Sequence, residues 1–294
     1  MVIRETKGEK AFNVFNNIFM LLMIIVMLYP FIYVVMCSLS DSNNLVGARG
    51  IMLKPKGFSL DSYAMVLKNP NILTGYCNTL ILVVGGTVLN LFMTSLGAFV
   101  LTRRDVAIMR PFSLMVIFTM YFSGGLIPTY LLVYKYLGLG DTLWAVILPT
   151  AISTYNLIIM RTNFASIPKS LEESALIDGA NECVVLFRIV LPLSLPIIAT
   201  MTVFYGVAQW NSWFNAMIYL RTREKYPLQL ILREILLMND AQGMIAADAG
   251  TDRFNIGEGI KYATIVIATL PILCVYPYMQ KYFIKGMMIG AVKG

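Results

Sequence analysis

Two groups of residues in this 294-residue chain could do chemistry by their type and spacing. The first begins at Ser170-Leu171-Glu172-Glu173 and continues through Ser174, Ala175, Asp178 and Gly179. Ser-x-x-Glu is the pattern of a capping box. It predicts that the Ser170 hydroxyl accepts the Glu173 amide while the Glu173 carboxylate reaches back to the Ser170 amide. Glu172 and Glu173 would then sit at the positive end of a short helix. Gly179 can end that helix by adopting positive φ. A second short helix is predicted from about Asn181, stopping before Pro192. The helix would carry apolar Leu171, Ala175 and Ile177 beside charged Glu172, Glu173 and Asp178. The plain reading is an amphipathic connector between apolar segments with its acids solvated, since exposed ion pairs contribute little.

The second group is neutral. Tyr205, Gln209, Trp210, Asn211, Trp213 and Asn215 fall within one apolar segment, and Asn90 and Asn156 lie in two others. Their spacing at i, i+4 and i+6 puts several of the six on one helical face. Aromatic rings stack on sugar rings and amides bond hydroxyls, so the mixture suits a carbohydrate. The alternative is that these amides bond neighbouring helices.

Other chemistries lack their residues. There is no histidine, and Cys37, Cys77, Cys183 and Cys274 have no CxxC spacing, so free thiols are expected and no metal site. No nucleophile-base pair and no G-x-x-x-x-G-K-[ST] loop is present, so the chain is expected to be non-catalytic and to bind no cofactor of its own. The net charge of +7 contains no long basic run, which argues against nucleic-acid binding.

These residues must be positioned by membrane-spanning helices. The chain is 58% hydrophobic and 13% charged, where a soluble chain carries about a quarter charged residues. Apolar stretches of spanning length are predicted at about 11–38, 75–102, 111–134, 142–160, 196–220 and 262–280. Pro30 could bend the first, Gly124-Gly125 and Pro128 break the third, and Pro149 lies in the fourth. Residues 1–10 form a short polar N-terminus, 39–74 and 221–261 are polar connectors, 161–195 is a charged loop, and 284–294 is a tail. Span interiors hold no Asp, Glu, Lys or Arg, which disfavours a self-contained ion-coupled carrier or channel. With no phosphate-binding loop either, the energy must come from another chain.

The first group of residues resembles the EAA loop of permease subunits of bacterial ABC importers. Glu173-Ser174-Ala175, Gly179, Ile189 and Leu191-Pro192 stand at that motif's spacing, with Ser174 in place of Ala. Asp178-Gly179-Ala180 is similar to the carbohydrate version. F-S-L-D-S-Y at 58–63, F-S-G-G-L-I-P-T-Y-L-L-V at 122–133, N-L-I-I-M-R at 156–161 and W-N-S-W-F at 210–214 resemble the maltose-type, oligosaccharide or polysaccharide branch.

The resemblance implies an all-α integral membrane protein with six transmembrane helices, the type I ABC importer permease fold and both termini cytoplasmic. The permease domain would cover 11–283. Lysine and arginine divide almost evenly between the two sides, so the orientation rests on the motif. Implied partners are a second related permease, two copies of a cytoplasmic ATPase that carries ATP and magnesium, an extracytoplasmic solute-binding protein, an oligosaccharide and the lipid bilayer of a bacterial inner membrane. By this resemblance the Leu171–Asp178 helix would dock in a groove of the ATPase, with Leu171, Ala175 and Ile177 in apolar contact and Glu172, Glu173 and Asp178 paired with basic groups. The ending, with Gly290 and Lys293, resembles tails that reach into the ATPase dimer; a frayed terminus is the alternative. A permease for a glycerophosphate or peptide remains open. Outer Arg221, Arg223 and Lys225 would tolerate an acidic glycan, with Glu224 beside them opposing this.

Overall fold

In the computed structural model the described residues are 6–45, 50–103, 106–246 and 252–291, with side chains described except at 238–256 and 278–291. Among them the chain is helical, with no strand and one isolated bridge between Ser40 and Phe58. Two compact units are present, Met1–Asn69 with Glu234–Thr269 and Pro70–Arg233 with Leu270–Gly294.

In the first unit, α1 (Lys7–Ser38) runs through Pro30 as one helix. It starts at a capping box that sequence reading passed over, in which Glu9 N donates to Thr6 Oγ1 and Thr6 N donates to Glu9 Oε2. Its most apolar 18-residue window has no buried residue, as expected of a helix surrounded by lipid or by another chain. The polar connector behind it holds two short helices, α2 (Ser42–Leu45) and α3 (Asp61–Lys68). Cys37, Leu45 and Met52 form a small core there with Tyr33 and Tyr262.

The second unit is built on α4 (Pro70–Thr102), which begins five residues before the predicted span. Proline at a first helical turn loses no hydrogen bond, so Pro70 can start the helix. α5 (Met109–Tyr121) and α6 (Leu126–Leu131) follow. α6 passes through a π-helical turn to Tyr136, and the two segments meet at 110°. The break falls at the predicted glycines, with Gly125 at φ 87°. α7 (Leu143–Ile147) ends in a 3-10 turn at Leu148–Thr150, and α8 (Thr154–Phe164) leaves it at 51°. The charged loop holds α9 (Lys169–Ile177) and α10 (Glu182–Val185). A π-helical turn and α11 (Leu191–Leu193) then run into α12 (Leu195–Trp210) after an 85° bend. α13 is Trp213–Tyr219, α14 is Leu228–Ala246 and α15 is Asp252–Ala291.

Several expectations are corrected here. The second loop helix does not stop before Pro192; the chain stays helical to Leu193 because the π-helical turn Leu186–Val190 takes up the irregularity. The segment at 196–220 is not one helix but two, parted at Asn211-Ser212. The polar connector at 221–261, of whose secondary structure nothing was expected, is largely helical among its described residues. Three helices are individually long and apolar enough to cross a membrane, and six segments are if each bent pair is one span.

The core of this unit joins α4, α8 and α12 with the charged loop. Ala98, Phe99, Leu157, Met160, Phe164, Val185, Leu186 and Met201 are buried together. Where lipid is as apolar as the core, small residues at helix crossings favour association by letting backbones approach. Gly97 faces Leu157, and a Cβ on Gly86 would lie 2.8 Å from the Gln209 side chain.

Candidate functional site: a neutral cavity and a clamped loop

The α4–α8–α12 packing leaves a cavity of about 460 Å³. Asn90 reaches it from α4, Asn156 and Ser153 from the start of α8, Thr150 from the turn after α7, and Tyr205 and Gln209 from α12. Asn211, Ser212, Phe214 and Asn215 complete it where α12 breaks. No charged side chain lines it among the described residues.

Part of the wall is fixed by hydrogen bonds. The Tyr205 hydroxyl pairs with Thr94 Oγ1 at 2.6 Å and accepts from Ser153 N at 3.2 Å. Gln209 Nε2 donates to Thr150 Oγ1 at 3.2 Å. Asn211 Nδ2 donates back to Val207 O, which closes α12. Asn90 is different. Its side chain is buried and its Oδ1 has no partner. A buried acceptor left unmatched costs about 1–3 kcal/mol, a cost that a donor reaching it would offset.

Six of the eight predicted residues therefore line one cavity: Asn90, Asn156, Tyr205, Gln209, Asn211 and Asn215. Trp210 and Trp213 do not. Trp210 turns to the opposite side, edge-on to Tyr76 with ring centroids 6.2 Å apart. Trp213 lies under the Arg233 guanidinium, 3.8 Å from the ring centroid. The expected shared face holds for Tyr205, Gln209 and Asn211 at i, i+4 and i+6, while Trp210, five residues after Tyr205 on the same helix, points away by the 100° periodicity, and Trp213 lies beyond the break at Asn211-Ser212. Thr150, Ser153, Ser212 and Phe214 were missed. Pro149 and the small polar residues after it signalled an interruption, but not which way their side chains face.

The charged loop departs from its predicted capping. α9 begins at Lys169, after Pro168, and no side chain caps it. Ser170 already lies inside the first turn, so the Ser170–Glu173 box does not form. The C-terminus is as expected. Gly179 has φ 86°, Gly179 N donates to Leu176 O, and Ala180 N donates to Ala175 O at 2.9 Å. This paired closure needs a left-handed residue at Gly179. Asn181 Oδ1 caps α10 by accepting Val184 N.

Glu172 does not face outward. It is buried, and Arg103 donates Nη1 to it at 2.5 Å and Nη2 to Glu182 at 2.6 Å. Ala175 likewise packs on the core. Both residues are thereby corrected from the outward face assigned to them. Leu171, Glu173, Ser174, Ile177, Asp178 and Gly179 stay exposed, joined by Leu176, which sequence reading missed. Ile177 is 85% exposed. Gly290 falls in the part of α15 whose side chains are not described, and Lys293 lies outside the described residues.

The polar turn ahead of α7 holds a third cluster. Asp141 Oδ1 accepts Arg221 N and Thr222 N, and Oδ2 accepts Thr222 Oγ1 and Lys225 Nζ. These bonds, with those from Thr222 foremost, hold its carboxyl well below the usual carboxylate range. Lys225 is thus engaged, and the Arg221 guanidinium lies over Tyr134. Both remain partly exposed to solvent.

Comparison with known proteins places this geometry. Residues 106–289 match the family described as binding-protein-dependent transport system inner membrane component. The chain is 43% identical over 286 residues to the polygalacturonan/rhamnogalacturonan transport system permease protein YtcP of Bacillus subtilis, covering 97% of this chain and 99% of that one. It is 44% identical over 294 residues to protein LplC of the same organism, covering 99% and 98%. A crystal structure of a bacterial ABC transporter for import of the acidic polysaccharide alginate contains a chain that matches with TM-score 0.85 and 31% identity, over 95% of this chain and 99% of that one. This chain belongs to the family of binding-protein-dependent transport system inner membrane components.

Proposed function

We propose that this chain is a permease subunit of an ABC importer that passes an oligosaccharide through the α4–α8–α12 cavity. The observation that carries the reading is the cavity lining: amides, hydroxyls and an aromatic ring, with no charge among the described residues, on helices that also hold the charged loop. Neutral hydrogen-bonding groups suit sugar hydroxyls and leave no titratable group for ion coupling. The names of the relatives favour uronate-containing oligomers. With no cation lining the cavity among the described residues, such a substrate would present its carboxylates to amides here or to a second permease.

The exposed residues Leu171, Glu173, Leu176, Ile177 and Asp178 would dock on a cytoplasmic ATPase. An external binding protein would deliver the substrate, a second related permease would complete the path, and two ATPase copies would close on ATP. This chain would hold no cofactor. Six crossings, with the bent pairs as single spans and both termini inside, fit a bacterial inner membrane.

The test is co-purification from native membranes in mild detergent, with ATP hydrolysis assayed on the complex. An ATPase and a second permease should accompany the chain. With the binding protein added, galacturonate oligomers should stimulate hydrolysis more than neutral oligomers of equal length. A chain that purifies alone and moves solute in vesicles without ATP would overturn the reading.

A further inference from the structure

We infer that Arg103 is a positioning residue that locks the charged loop to α4, so that force applied at α9 reaches the cavity. This rests on the docking reading above. Arg103 lies one residue past α4, and its two terminal nitrogens bond carboxylates on two different loop helices, Glu172 on α9 and Glu182 on α10. A planar guanidinium can hold two carboxylates in fixed directions, whereas an ammonium presents a point charge. The guanidinium also stacks 4.4 Å from the Phe99 ring centroid, within α4's own core face. Glu172 is 8% exposed, so removing Arg103 would leave a nearly buried carboxylate without its ion-pair partner.

A second tie acts at the same helix end, where Arg161 Nε of α8 donates to Leu101 O of α4 at 3.0 Å. The two helices joined there are the ones that place Asn90 and Asn156 in the cavity. The apolar core already ties Val185 and Leu186 of the loop to α4, with Ala175 of α9 packed at its edge. Apolar contacts fix no direction, and between α9 and α10 the backbone turns at Gly179. Without Arg103 a pull on α9 would meet only that packing and the turn, and two acidic side chains would be left near each other. With it, the charged ends of α9 and α10 and the end of α4 are held in register.

The experiment compares Arg103→Gln with the wild type in the purified, reconstituted complex. The readout is solute taken up per ATP hydrolysed, with subunit stoichiometry measured alongside. The ratio should fall about tenfold, the scale of losing hydrogen bonds between charged groups. Arg103→Lys should recover part of it, and Glu182→Gln, at the more exposed partner, should lower it less. Hydrogen exchange of residues 169–185 in the isolated chain reads the lock without any ATPase, and Arg103→Gln should speed it about tenfold by the same loss. Unchanged exchange overturns the lock whatever the fate of the docking reading. Faster exchange with an unchanged uptake ratio overturns the coupling role. A loss of assembly in proportion to uptake would make Arg103 merely structural and also overturn it.

Discussion

The two ends of the α4–α8 pair treat their polar groups in opposite ways. At the loop end Arg103 is paired with Glu172 and Glu182, and Arg161 is bonded to a helix-end carbonyl. At the cavity end the groups are neutral, and Asn90 Oδ1 is buried with no partner. A guanidinium bonded to two carboxylates, one of them nearly buried, makes a stiff joint. An unsatisfied neutral acceptor makes a site whose energy falls when a ligand donor arrives. The same helices are thus rigid where force would enter and receptive where solute would sit.

The largest expected break is at the loop. A Cβ at Gly179 meets nothing within 4 Å, so only its φ of 86° resists substitution. Left-handed backbone costs a non-glycine residue about 1–2 kcal/mol, and β-branching makes this worse. Gly179→Val should bring uptake close to background with membrane insertion intact. Gly179→Asn should keep most of it, because Asn tolerates this region. Normal ATP-driven uptake by the valine variant would remove the loop from the coupling path.

The cavity end should respond next. Asn90→Leu should lower uptake about tenfold through loss of a ligand hydrogen bond, while removal of an unmatched acceptor leaves thermal stability equal or higher. A variant that is less stable and transports normally would make Asn90 a structural residue. Trp210→Ala sharpens the contrast from outside the cavity. Burial against Tyr76 predicts a stability loss of about 3 kcal/mol, with uptake per assembled complex within about twofold of wild type. A raised KM for solute in that variant would return Trp210 to the substrate path.

The smallest effect belongs to the Asp141 turn. Its carboxyl is held below the ordinary value, so its contribution to stability is fully present above the unfolded-state pKa. That contribution declines as pH falls below about 4 toward the lower folded value. Because Lys225 and Asp141 are partly exposed, the effect is modest and screened by salt. Thermal melts of Asp141→Asn should be less pH-dependent than wild type below about pH 4, and parallel curves would deny the cluster a stabilising role.

Much of this architecture was legible in one dimension. A long uncharged run such as 75–102 must be an apolar helix, because an unsatisfied backbone is costly in lipid. Gly125 and Gly179 marked breaks because their backbone angles are open mainly to glycine. The Ser-x-x-Glu pattern failed at Ser170 and the equivalent Thr-x-x-Glu pattern succeeded at Thr6. Pro168 had already started the first of these helices, and a cap works only at the first residue outside the helix.

By itself the sequence determined the helical membrane class, the neutral character of the cavity residues and the glycine that closes α9. These depend on composition and on local backbone energetics. Only the tertiary structure decided that Glu172 turns inward, that Trp213 leaves the cavity, and that Thr150, Ser153 and Ser212 enter it. The partner that claims Glu172 is 69 residues away in the chain, and the break after Trp210 resets the direction of every side chain beyond it. Partnership across such distances is set by how helices pack, and no local pattern encodes it.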